Sequence, residues 1–151
     1  MNDNNQSQTN TTTKLPIWFW VVSVLALLWF AMDMSAFVMR VTVTEEARLA
    51  MSERDQYLHR DFPLWVNLVF AGEVFGGLLG TLALLFKRRL AFGLLTVSLL
   101  GVLAQSSYVY FISDAVAVLG MPLALMPLVS VTIGVLMLFV VRTGRLKGWL
   151  A

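Results

Sequence analysis

Glu73 is the residue in this chain best placed to do chemistry. It stands inside an apolar run from about Leu64 to Phe86, long enough to cross a bilayer. A carboxyl at that depth costs a few kcal/mol if it faces lipid, so Glu73 must face other protein or a water-filled space. Four further residues could join it. Asp33 and Gln105 could hydrogen-bond a polyol or a cation, and Trp29 or Tyr108 could stack on one. A carboxyl that gains and loses a proton in step with a solute is the minimum that a proton-coupled carrier needs. The alternative is a buried polar network, in which Glu73 stays protonated, donates to Gln105 or Asp33 and fixes helix register. Intramembrane hydrogen bonds of that kind contribute about 0.6–2 kcal/mol each.

The spacing around Glu73 says what must position it. Residues three, four and seven places along a helix share a face. From Glu73 these are Gly76, Gly77 and Gly80, so the acid and three glycines form one stripe. Glycine lets a neighbouring helix approach closely, and Gly101 and Gly134 are expected to serve the same packing on other spans.

Composition agrees with a membrane setting. Of 151 residues, 58% are hydrophobic and only 13% charged, against about 25% charged in ordinary soluble domains. The spans are predicted at about 16–39, 64–86, 90–112 and 122–141, within a single membrane domain covering 14–151. Residues 1–13 form a polar tail without apolar periodicity, expected to be disordered. The fold expected is all-α: a four-helix transmembrane bundle with a short polar helical loop between the first and second spans.

Along the first span, Pro16 suits the opening turn, and Trp18 and Trp20 suit a membrane interface. Ser23, Ala26, Phe30, Asp33 and Phe37 follow a three–four spacing and form its expected interior seam. Arg40 lies two turns beyond Asp33, close enough for its long stem to bend back. In loop 40–63, Thr42 and Glu45 have the spacing of a capping box, and Ser52-Glu53-Arg54-Asp55 suits a second helix start. The next two spans meet at Lys87-Arg88-Arg89, a connection so short that they must be antiparallel neighbours. On the third, Ser98, Gly101, Gln105, Tyr108 and Ile112 share a face. On the fourth, Pro122 is expected to open the helix and Pro127 to bend it early. Its seam is Pro127, Ser130, Gly134 and Met137.

Basic residues set the orientation expected. Lys87, Arg88 and Arg89 lie on the same side as Arg142, Arg145 and Lys147. The positive-inside rule makes that side cytoplasmic, so both termini are inside and loop 40–63 is extracytoplasmic. The localisation expected is a bacterial inner membrane. Asp33, Glu73 and Gln105 then reach comparable depth in the outer half of the bundle, with Ser106, Ser107, Tyr108 and Asn67 shallower.

Other chemistries find little support. With no cysteine there are no disulfides or thiolate metal sites. His59 has no second metal-type ligand near it in sequence, so neither a metal nor a cofactor is expected. No phosphate loop or nucleophile–base pair is present, and the reading is not an enzyme. The small net charge of +2 argues against nucleic acid, leaving the lipid bilayer, a small-molecule ligand and further copies of the chain as partners.

The chain resembles a group of small bacterial four-helix membrane proteins commonly named sugar transporters. The resemblance rests on Leu15-Pro16 before an aromatic-rich first helix and on Trp65 followed by Glu73 and Gly76-Gly77. The run Ser98-Leu99-Leu100-Gly101-Val102-Leu103, Ile112-Ser113-Asp114 and Met126-Pro127 add to it. It covers most of residues 14–151, and the first span departs from it by carrying Asp33. The resemblance implies transport as a class and no particular mechanism. The function expected is therefore a small-solute carrier, sugar-like or proton-coupled, acting as a homo-oligomer. The alternative is a non-transporting accessory or envelope-stress protein that binds a partner through residues 41–63.

Overall fold

The computed structural model describes residues 15–59, 62–114, 117, 120–121 and 125–150, apart from the Leu58 side chain. The expectations for tail 1–13 and for Pro122 fall outside them. Six helices are described: α1 (Ile17–Thr42), α2 (Glu45–Leu49), α3 (Glu53–Leu58), α4 (Leu64–Leu85), α5 (Leu90–Phe111) and α6 (Met126–Leu146). No strand occurs among the described residues. α1, α4, α5 and α6 are each long and apolar enough to cross a membrane. The chain is an all-α, multi-pass membrane protein built as a four-helix bundle.

α4 and α5 form the tightest pair. α1 packs on α4, α6 packs on α5, and α1 touches α6 only lightly. The bundle is thus an arc with an open apolar seam, a groove of about 370 Å³ lined by Val22, Leu25, Trp29, Ile133 and Leu136 among others. The central pair owes its closeness to missing side chains. A Cβ on Gly76 would stand 2.8 Å from the Leu94 carbonyl oxygen, and one on Gly80 2.7 Å from Leu95 Cγ. From the other side, a Cβ on Gly101 would lie 2.9 Å from Glu73 Cβ and 3.1 Å from Glu73 N. Gly77 admits the Phe30 ring of α1, and Gly134 of α6 faces Leu99 of α5. All five glycines therefore mark places where a second helix closes in.

The ends are held by local chemistry. The α4–α5 turn places Lys87 at φ 56°, with Arg88 N donating to Ala83 O at 2.7 Å. That is a Schellman stop with lysine where glycine is usual. At the end of α6, Gly148 takes φ 69° and Trp149 N donates to Gly144 O at 2.8 Å. The chain folds back there, burying Leu150 and setting Trp149 edge-on to Phe19 with ring centroids 5.9 Å apart. Phe19 is fully buried as a result.

Four local expectations are corrected. Thr44, not Thr42, caps α2, accepting from Ala47 N; Thr42 lies in the last turn of α1 and donates to Val38 O. The cap thus needed a residue outside the preceding helix. Pro127 does not bend α6 but begins it, since the first turn has no intrahelical partner for the N–H that proline lacks. That helix runs on to Leu146, past the expected end of the span at about 141, so Arg142 and Arg145 belong to its last turns. Ile112, expected on the interior face of the third span, is exposed at the end of α5.

The glycine contacts give a direct test. Gly76→Val and Gly101→Val should each destabilise the bundle by about 1–3 kcal/mol, the usual range for overpacking, in reversible unfolding in detergent. Gly93→Ala and Gly72→Ala, where nothing lies within 4 Å of an added Cβ, should be neutral or better. Equal losses at all four positions would refute close packing as the role of Gly76 and Gly101.

Candidate functional site

Glu73 is the tenth residue of the 22 in α4, at the middle of the span. Its backbone is pressed against Gly101 of α5, so its side chain can leave only sideways. It is 4% exposed and lines a cavity of about 150 Å³ with Asp33 of α1, Gln105 and Ser106 of α5, and Pro127 and Ser130 of α6. Phe70, Val102 and Met126 complete the wall. All four long helices contribute, so the cavity exists only when the bundle is assembled.

The polar atoms here share one property. Glu73 Oε2, Asp33 Oδ2 and Gln105 Oε1 are each buried without a hydrogen-bond partner. All three are acceptors. Ser106 adds no donor, because its hydroxyl already donates to Val102 O at 2.6 Å. These three oxygens thus line the cavity with lone pairs unmet. A structural polar network would have its members bonded to each other, and these three atoms are not.

Trp29 stands one turn before Asp33. Its indole interacts with the Asp33 carboxyl without reaching hydrogen-bond geometry, and its Nε1 is buried and unpaired. Trp29 lines the α1–α6 seam rather than the Glu73 cavity. Tyr108 also lies outside the cavity. Its ring packs edge-on against Trp65 and Phe62, with centroids 5.4 and 6.1 Å away. Ser98 of the expected seam is buried, but beyond it the buried positions of α5 are Val102 and Ser106, one residue on from Gly101 and Gln105. Three residues on from Gln105, Tyr108 is carried to the mouth of the bundle.

That mouth, at the end bearing α2 and α3, holds a second, polar cavity of about 310 Å³. Arg40, Glu45, Arg48, His59, Phe62 and Asn67 are in its lining. Arg48 grips Glu45 through both Nε and Nη2, and this hydrogen-bonded pairing holds the Glu45 carboxyl below the usual carboxylate range. Tyr57 of α3 donates to Asp114 beyond α5 at 2.6 Å. Arg40 does not bend back to neutralise Asp33. Its guanidinium instead lies against two rings, 4.7 Å from the Phe62 centroid and 4.5 Å from that of Phe70. Phe70 lines the inner cavity and Arg40 the outer one. The two side chains in contact thus stand where the cavities approach each other.

Several of these roles go beyond the residues singled out by sequence. Ser130 and Pro127 were readable as an interior seam of the fourth span, but only the α5–α6 packing brings them to Glu73. Arg40 and Phe70 carried no signal of pairing, because a cation over a ring leaves no fixed spacing in sequence. Among the described residues, no three His, Cys, Asp or Glu side chains come together as a metal site. No known protein family, curated protein or solved structure matches the chain.

An unbonded buried acceptor costs about 1–3 kcal/mol. Glu73→Met, of similar length and free of polar atoms, should therefore raise unfolding stability in detergent by an amount of that order. A stability loss of the same size would mean that the carboxyl is bonded within the fold and has a structural role.

Proposed function

We propose that this protein is a small membrane carrier in which Glu73, with Asp33 and Gln105, takes and releases a proton or a small cation. The observation that carries the reading is the set of three buried, unpartnered acceptor oxygens around one cavity. Such a wall is complementary to whatever brings protons or positive charge. Size argues in the same direction. Sites for drug-sized organic ligands span about 300–1,000 Å³, whereas this cavity is about 150 Å³. At roughly 30 Å³ per molecule in the liquid, it matches about five waters. That favours a proton or hydrated cation over a sugar-sized solute, although the resemblance to small sugar-transporter-like proteins supports transport as a class. Access would run from the outer cavity past the Arg40–Phe70 contact.

The same reading puts the chain in a bacterial inner membrane with both termini cytoplasmic, supported by the basic residues gathered at one end. Four spans enclose little volume, which favours action as a homo-oligomer. A second reading, a non-transporting accessory or envelope-stress protein binding a partner through residues 41–63, draws support from α2, none of whose residues is buried.

Proteoliposomes loaded with a pH-sensitive dye test the carrier. Under an imposed membrane potential, the wild type should move protons faster than protein-free vesicles, and Glu73→Gln should cut that flux at least tenfold. Ser107→Ala, at an exposed site outside the cavity, should leave it unchanged. Flux equal to that of empty vesicles, or undiminished in Glu73→Gln, would refute the reading. The route has its own check in this cysteine-free chain. Glu73→Cys should react slowly with a membrane-impermeant thiol reagent, and adding Phe70→Ala should speed the reaction at least tenfold. An unchanged rate would place the entrance elsewhere.

A further inference from the structure

A further groove lies at the opposite end from the Glu73 vestibule. It spans about 680 Å³ between α5 and α6 and is lined by Phe92, Leu138, Phe139, Arg142, Arg145 and Leu146. Its chemistry is divided. Arg142 and Arg145 lie three residues apart on one helix face, and the Arg145 guanidinium rests 5.0 Å from the Phe92 ring centroid. The remaining side chains are apolar and lead from the basic end toward the middle of the span.

The surrounding charge is one-sided. Lys87, Arg88 and Arg89 of the α4–α5 turn and Lys147 lie at the same end. After Glu73 the sequence has only one acid, Asp114, at the far end of the bundle. Residues 74–113 and 115–151 contain no Asp or Glu side chain with which either groove arginine could pair. The helix ends do not decide the matter, since the start of α5 favours an anion and the end of α6 disfavours one. The guanidiniums decide it. Their planar forks match phosphate oxygens two at a time.

We infer that this groove is a binding site for an anionic phospholipid, with its phosphate held by Arg142 and Arg145 and an acyl chain lying along Leu138, Phe139 and Phe92. Basic pockets between membrane helices bind acidic headgroups in this way. A lipid fits better than free phosphate because only a lipid would cover the apolar wall that continues below the charges. The site is independent of the carrier reading, being built from other residues at the other end.

The test uses the full chain in a nonionic detergent, titrated with short-chain phosphatidylglycerol, short-chain phosphatidylcholine or inorganic phosphate and followed by thermal melting. Phosphatidylglycerol should raise the wild-type melting temperature, and the other two should leave it unchanged at equal concentration. Arg142→Gln/Arg145→Gln should need at least tenfold more phosphatidylglycerol for the same shift. Arg88→Gln/Arg89→Gln, which removes as much charge outside the groove, should respond as wild type. Equal weakening in both double variants would mean nonspecific surface charge, and an equal shift with inorganic phosphate would mean a simple anion site; either overturns the inference. Arg145→Lys keeps the charge and loses the fork, so it serves if the groove double variant does not fold. It should need about threefold more lipid if the two-point hold contributes roughly 0.6 kcal/mol. An unchanged response would also overturn the inference.

Discussion

The backbone contact between α4 and α5 is the constraint on which the rest of this protein depends. Gly76 and Gly80 on one helix and Gly101 on the other remove the side chains that would hold the pair apart. In lipid the hydrophobic effect does not drive helices together, so close packing of this kind is a main source of association. The same contact fixes Glu73, whose backbone abuts Gly101. From that fixed backbone the carboxyl reaches the cavity, where its Oε2 has no hydrogen-bond partner. Packing and the unusual polarity of the cavity are thus two results of one set of small residues.

The two ends of the bundle differ in kind. One holds paired charges, a polar vestibule and the aromatic series in which Phe62 meets both Arg40 and Tyr108. The other holds unpaired basic residues and an apolar groove open to the bilayer. Between them the α1–α6 seam is only lightly closed. Such a bundle can change shape more cheaply at that seam than at the α4–α5 contact, where a shift of a few tenths of an ångström meets backbone.

What the sequence made legible follows from what lipid does to it. The four spans were readable because a membrane demands long apolar runs. Glu73 and its glycine stripe were readable because an acid and small residues are conspicuous in such a run. Faces were harder to assign. In water, an apolar face marks the core, but here lipid and core are both apolar. Phe19 and Leu150 are buried while Phe111 and Ile112 are exposed, and nothing in their chemistry separates them. Tyr108 was grouped with Gln105 by spacing and stands apart from it in space. Pro127 was read as a bend because the helix start could not be located from hydropathy alone. Proximity in sequence pairs Arg40 with Asp33, whereas in the fold its guanidinium lies against two aromatic rings from farther along the chain.

The fold-back at Trp149 and Leu150 also has a meaning for how the protein is made. Phe19 is among the first residues of α1 to leave the ribosome, and the Trp149 ring that packs on it comes only after all four spans. Until then the edge of Phe19 that Trp149 meets stays open, while the Phe30 face of α1 already has Gly77 of α4 to pack on. The start of α1 and the turn after α6 therefore close on each other late.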